Sequence, residues 1–280
     1  MRIDNKRILS LSPPEFAPCP GLTYLFVNPG KNLEAGRGKE RDPDLHSDLS
    51  SPELALYRGL DDALLEFEPV PGSGSRGPGA LAAELGVCVM PGGTYHVTAC
   101  DFLHDENIRP DAGALRAAFH EAVRAMPPEG TLSLPHPVRE RIELRAPVAF
   151  EFASLELRGT EGPAGDHCAA LVANMAPLAR CAAEYARLEE ARGRIDEAWG
   201  PLGRVPGGKW RPHVTLAYLA YRQYFDRIRR LLPVWEPIVQ AMAKGKSVEF
   251  AEVRLYVFAD MARFWRSPQI AAAPSGEAQL

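Results

Sequence analysis

Two segments of this chain repeat one local design, and that repetition constrains the fold more than any other feature. Residues 91–99 read Pro91-Gly92-Gly93-Thr94-Tyr95-His96-Val97-Thr98-Ala99. Residues 206–217 read Pro206-Gly207-Gly208-Lys209-Trp210-Arg211-Pro212-His213-Val214-Thr215-Leu216-Ala217. In both, a Pro-Gly-Gly turn leads through an aromatic residue into His-Val-Thr, and the second copy carries two extra residues before its histidine. The chain has seven histidines and only six threonines. Two His-x-Thr matches should therefore arise by chance in about 1% of shuffles, and the shared valine and lead-in lower that further. The repeat predicts two lobes of related design, each giving one strand to a shared site.

The spacing carries chemistry. Residues i and i+2 of a strand point to the same face, so His96 and Thr98 project together while Val97 turns into the core; His213, Thr215 and Val214 repeat the pattern. Side by side, the two strands put two imidazoles and two hydroxyls around one cavity. A phosphodiester needs this set. A neutral imidazole takes a proton from the attacking water or hydroxyl, and a protonated one gives a proton to the leaving oxygen. The threonine hydroxyls donate to the non-bridging oxygens, whose charge grows in the transition state. The scheme calls for no metal and no cofactor.

The paired triplets, the second within Trp210-Arg211-Pro212-His213-Val214-Thr215-Leu216, resemble the motifs of the two-histidine (2H) phosphoesterase superfamily, the cyclic phosphodiesterase and 2′-5′ RNA ligase-like enzymes. The resemblance implies a bilobed α+β fold with pseudo-twofold symmetry, antiparallel sheets flanked by helices and a central groove. It implies His96 and His213 as the acid/base pair and Thr98 and Thr215 as phosphate binders. It also implies hydrolysis of a 2′,3′-cyclic phosphate or a related phosphodiester of a nucleotide or RNA end. A module on the same fold that binds cyclic nucleotides or RNA ends without turnover is the alternative. The resemblance covers about residues 20–265 as a strand and helix pattern and says nothing of the particular substrate.

Composition narrows the partners. With 32 Lys+Arg against 36 Asp+Glu the formal charge is −4, which disfavours the sustained row of cations that grips extended nucleic acid. A nucleotide or an RNA terminus needs only a few local donors. Five cysteines at irregular spacing, with no Cys-x-x-Cys, point to neither a disulfide framework nor a zinc site. No apolar run reaches the length of a membrane span. The expectation is a monomeric cytoplasmic protein without membrane contact.

Along the chain, strands are expected over Thr23–Asn28, Leu85–Met90 and Tyr95–Phe102, the last two joined through Pro91-Gly92-Gly93. Further strands are expected over Val148–Leu157, Ala169–Asn174, Trp210–Leu219 and Val248–Phe258. Helices are expected from Pro52, over Asp111–Met126, over Pro177–Trp199, and over Tyr221–Ala243 with an interruption near Pro233 and Pro237. A charged loop or flap from Pro29 to Pro52 and a Pro/Gly/Ser loop from Pro69 to Gly79 punctuate the first half. The division implied is an N-terminal lobe over 1–135, a C-terminal lobe over 136–266 and a frayed tail over 267–280.

Other residues carry weaker signals. Trp210 and Tyr218 suit stacking on a base as well as they suit packing, whereas strand alternation turns Tyr95 into the core. Arg211 suits a phosphate contact and a solvated surface equally. Cys100, two residues past Thr98, reads as an apolar filler, with a Cys100–His96 nucleophile pair as the weaker idea. The arginines at 222, 227, 229 and 230 read as a solvated helix face. Gly72-Ser73-Gly74-Ser75-Arg76-Gly77 matches a dinucleotide fingerprint literally, but prolines on both sides deny it the strand before and the helix after. No Walker motif occurs, so ATP-driven ligation is not supported. His46, His104, His120, His136 and His167 lack ligand spacing.

Overall fold

The computed structural model describes residues 3–11, 13–29, 47–67, 77–124, 142–159 and 167–266. Most of the charged 29–52 segment, the glycine-rich 72–76 stretch, His46, His136, the Pro127-Pro128 helix stop and the 267–280 tail lie outside them. The described chain is α+β: an antiparallel pair, β1 (Ile8–Leu11) and β2 (Pro14–Phe16), stands beside two larger antiparallel sheets flanked by helices. Among the described residues, no helix is long and apolar enough to cross a membrane.

One sheet has four strands: β3 (Gly21–Phe26) lies between β5 (Thr98–His104) and β10 (Val253–Phe258), and β11 (Phe264–Arg266) forms one edge. The other has five, in the order β4 (Val87–Val89), β8 (His213–Leu219), β7 (Ala170–Pro177), β6 (Val148–Arg158) and β9 (Val248–Phe250). The sheets do not divide at residue 135. The early strand β4 pairs with β8, and the late strands β10 and β11 pair into the sheet of β3. The expected connection through Pro91-Gly92-Gly93 is present and carries the chain from one sheet to the other. A short 3-10 turn over Gly92–Thr94, closed by the Thr94 hydroxyl donating to the Pro91 carbonyl at 2.7 Å, makes it. A Cβ at Gly92 would lie 2.6 Å from an Asp61 carboxylate oxygen, so a larger residue there has to displace that side chain.

Helix α1 (Ala55–Glu66) buries Leu56, Tyr57, Leu60 and Leu64 on one face, as its periodicity requires. Helix α2 (Pro78–Leu85) occupies residues expected as loop and strand. Gly86, at φ 60°, caps it in the left-handed conformation and leaves only three residues for β4. Helices α3 (Gly113–Arg124) and α4 (Ala182–Trp199) fall where the pattern puts them. Helix α5 (Phe225–Ala243) runs unbroken through Pro233 and Pro237, against expectation. Both prolines are exposed, so the carbonyls they deprive of partners face water, while Ile228, Trp235 and Val239 are buried on the other side. Trp235 stacks on Phe67 with ring centroids 4.6 Å apart and holds that side in place.

One large apolar cluster joins the backs of both sheets to these helices, with Phe26, Phe150, Phe250 and Trp210 at its centre. Burial of side chains this large contributes roughly 1.5–3 kcal/mol each. The front faces, freed from core duty, carry the polar side chains.

Candidate active site

Both histidines lie at the entry of a strand, His96 before the edge strand β5 and His213 at the start of the interior strand β8, and their local geometry matches. His96 sits in the extended segment just before β5, and His213 is the first residue of β8. Proline at 212 has no N–H for a ladder, so the strand expected from Trp210 begins only at His213. His96 Nδ1 is 2.9 Å from the Thr94 carbonyl, and His213 Nδ1 is 3.0 Å from the Arg211 carbonyl. In each case Nδ1 lies against the carbonyl two residues upstream, which leaves Nε2 for chemistry.

The strands share a second device. β5 bulges against β3 after Thr98, so Thr98 faces Leu25 while Cys100 faces Tyr24. β8 bulges against β7 after Thr215, where Thr215 pairs with Val172 and Ala217 with Leu171. Each bulge shifts the alternation by one residue. Asp101 therefore shares a face with Thr98, and Tyr218 shares one with Thr215. Val97 and Val214 are fully buried behind.

Electrostatics tie the two triplets together. His96 is pushed down to about 4, first by burial and further by the His213 charge nearby, against the opposing pull of the Thr94 carbonyl. His213 is also lowered, chiefly by burial, with Arg158 and Arg211 adding to it and the Arg211 carbonyl and Glu156 opposing it. At neutral pH both rings are therefore predominantly neutral. Neither is sealed, since His96, Thr98, His213 and Thr215 all keep partial exposure.

The other residues singled out fall in different places. Trp210 is only 7% exposed. It stacks on Tyr185 with centroids 4.7 Å apart, and its indole N–H donates to the Thr98 carbonyl at 3.0 Å. It has no free face for a base and instead ties the second lead-in to the first triplet's strand. Tyr218 is also buried, edge-on to Phe16, and its hydroxyl is hydrogen-bonded to Thr215. That excludes stacking and makes it a support for the threonine. Arg211 is 63% exposed at the rim, 3.4 Å from Glu156. Cys100 is buried on the back of β5, where burial raises its thiol pKa, so it cannot pair with His96 as a nucleophile. Tyr95 is core, its hydroxyl 3.3 Å from Asp61.

Four residues near the site are not evident from the sequence. Phe264 of β11 packs on the His96 ring at 4.7 Å. Arg158 of β6 reaches His213. Arg7 lies close enough to Asp101 and Tyr218 to act on both, and is 3.0 Å from Glu106. Its place is set by Asn5, whose amide donates to the carbonyls of Ala169 and Leu219 and pins the N-terminal segment across the sheet. Asp101 is held low despite the opposing effect of burial, through its hydrogen bond to His104 and the Arg204 and Arg7 charges. A basic residue that acts from a distant strand leaves no local sequence signal. Among the described residues, no group of three or more His, Cys, Asp or Glu is placed to hold a metal ion.

No protein-family model matches the chain, and no curated protein does. Among solved structures, the fold is similar to a conserved protein of unknown function from Agrobacterium tumefaciens, with 12% identity, 93% of this chain and 88% of that one covered, and a TM-score of 0.49. It is also similar to Usb1 of Kluyveromyces marxianus, with 11% identity, coverage of 89% and 98%, and a TM-score of 0.32. Both likenesses are distant, and neither bears on chemistry.

Proposed function

We propose that the chain is a phosphodiesterase working by paired-histidine acid/base catalysis without a metal. Its substrate is a 2′,3′-cyclic phosphate or related diester of a nucleotide or RNA end. One observation carries the reading. Two imidazoles, each with Nδ1 within 3.0 Å of the carbonyl two residues back, lie within electrostatic reach of each other, and each has a threonine two residues on. One ring accepts the proton of the attacking water and the other supplies the proton for the leaving oxygen. Thr98 and Thr215 donate to the non-bridging oxygens. Tyr218 turns the Thr215 hydroxyl, and Arg211 at the rim meets the approaching anion. The pseudo-twofold, bilobed design belongs to the same proposal, supported by the matching anchors and bulges. The test is a screen of 2′,3′-cyclic, 3′,5′-cyclic and 2′-5′-linked substrates with EDTA present. Product from at least one of them is expected. Strict metal dependence contradicts the mechanism, and binding without product replaces the enzyme with a binding module.

A further inference from the structure

The two halves of the site are built alike but partnered unequally. His96 Nδ1 meets an acceptor, the Thr94 carbonyl, and its ring lies against the apolar Phe264. His213 Nδ1 meets the Arg211 carbonyl and also, at 2.9 Å, Nη1 of Arg158. A guanidinium has no acceptor and keeps its protons, so it can approach a ring nitrogen only as donor. As a hydrogen bond that contact needs a lone pair on Nδ1 of His213, with the ring hydrogen on Nε2; the contact with the Arg211 carbonyl needs the opposite tautomer, so one neutral ring satisfies only one of the two. The Arg211 carbonyl keeps a partner, because Arg158 Nη1 lies 3.2 Å from it as well.

Arg158 is not free to swing away. Its Nε donates to Glu156 Oε2 at 2.7 Å and its Nη2 donates to Asn174 Oδ1. The Asn174 amide donates in turn to Ser154 Oγ at 2.9 Å and to Glu156 Oε2 at 3.2 Å. Strand register puts all of these on one face: Ser154 pairs with Asn174 across β6 and β7, and Asn174 pairs with His213 across β7 and β8. Among the residues described around His96, no such network occurs.

We propose that Arg158 is a positioning residue that gives the two histidines opposite tautomers, so that neutral His96 presents a bare Nε2 to the substrate and neutral His213 presents an Nε2–H. For its catalytic consequence this rests on the phosphodiesterase reading above. His96 is then the base and His213 the proton donor. As the water oxygen bonds to phosphorus, its proton passes to His96 Nε2. The bond from phosphorus to the leaving oxygen breaks, its electron pair stays with that oxygen, and the oxygen takes the proton of His213 Nε2. The guanidinium at Nδ1 offsets the negative charge left on His213, as a positive helix end does for a neutral histidine donor elsewhere. Solvent water returns the proton from His96 to His213 before the next turnover. The charged and titratable groups facing His213 are Arg158 and Glu156 from β6, Arg211 from its own lead-in and His96 across the site; among the described residues, His213 is the one charged group that acts on His96. Burial holds both rings neutral near pH 7, as this scheme requires.

Long-range proton–nitrogen NMR spectra of the full chain, with each histidine assigned by its asparagine variant, read the tautomers directly. The expected result at neutral pH is Nδ1–H on His96 and Nε2–H on His213, with Arg158→Met converting His213 to the Nδ1–H form. The same tautomer on both rings of the native protein overturns the proposal, as does a spectrum unchanged by Arg158→Met. If that variant fails to fold, the native spectrum alone decides. In turnover, Arg158→Met should lower kcat on the order of 10- to 100-fold, the scale seen when an outer partner of a working histidine is lost, with KM little changed. The native kcat/KM should hold from about pH 7 to about pH 9, whereas the variant should fall there because its His213 donates only as the imidazolium. A native profile that falls overturns the neutral donor. Tautomers are read without substrate, so opposite tautomers in a chain that turns over no diester would keep this assignment and remove the phosphodiesterase reading.

Discussion

A buried neutral histidine makes stability depend on pH in a way that can be worked out in advance. His96 takes up a proton near pH 6.5 when unfolded but only near 4 when folded. Between those values the unfolded chain binds the extra proton, so acid favours unfolding. The His96 contribution is intact above about pH 6.5 and is lost as the pH falls towards 4. Each pH unit inside that window is worth about 1.4 kcal/mol. From pH 7 to pH 5 the loss through His96 comes to about 2 kcal/mol. His213 is lowered too and acts in the same direction, but it is common to the two proteins that should be compared, native and His96→Gln. Urea unfolding at pH 7, 6 and 5, with linear extrapolation to water, measures the difference. Most carboxylates stay ionised over that range and leave the comparison clean. Native protein should lose about 2 kcal/mol more than His96→Gln between the end points. Equal slopes would refute the burial of His96 as a neutral ring, and with it the electrostatic picture of the site.

Two further substitutions probe the supports of the triplets. Trp210→Phe removes the N–H that meets the Thr98 carbonyl; it should cost roughly 1–3 kcal/mol in urea unfolding and lower turnover, because the first triplet's strand loses its tie. Tyr218→Phe deletes the hydroxyl on Thr215; stability should fall by about 1 kcal/mol, with a loss in kcat larger than that change would explain. Wild-type turnover in Tyr218→Phe would remove the tyrosine from the site.

What the sequence makes legible follows physical range. The His-Val-Thr triplets stand out because threonine is scarce, and i, i+2 alternation correctly sends Val97 and Val214 inward. Helices α1, α3 and α4 are legible from their periodicity. The bulges after Thr98 and Thr215 are not, because they arise from pairing with β3 and β7 and not from the residues that bulge. For the same reason Asp101 and Arg158 pass unremarked, their roles set by strands far away in sequence. Trp210 misleads because an aromatic beside a candidate histidine reads equally as platform or core, and only its contacts with Tyr185 and Thr98 settle it. Pro233 and Pro237 mislead because local pattern counts the cost of proline in a helix, about 3 kcal/mol each, and not the packing of Ile228, Trp235 and Val239 that holds the buried face of α5 together. Local pattern cannot show that β4 joins the sheet of β8 or that β10 joins the sheet of β3, because those pairings are made with strands far away in sequence.

The central claim is that His96 and His213 act as one unit on a phosphodiester. The most direct measurement is kcat/KM on a 2′,3′-cyclic nucleotide for His96→Ala, His213→Ala and the double variant, each shown to be folded. Each single change should abolish nearly all turnover, and the double should be no worse than either, because residues that work together lose their effect together. Native rates in either single variant, or losses that multiply in the double, would contradict the account.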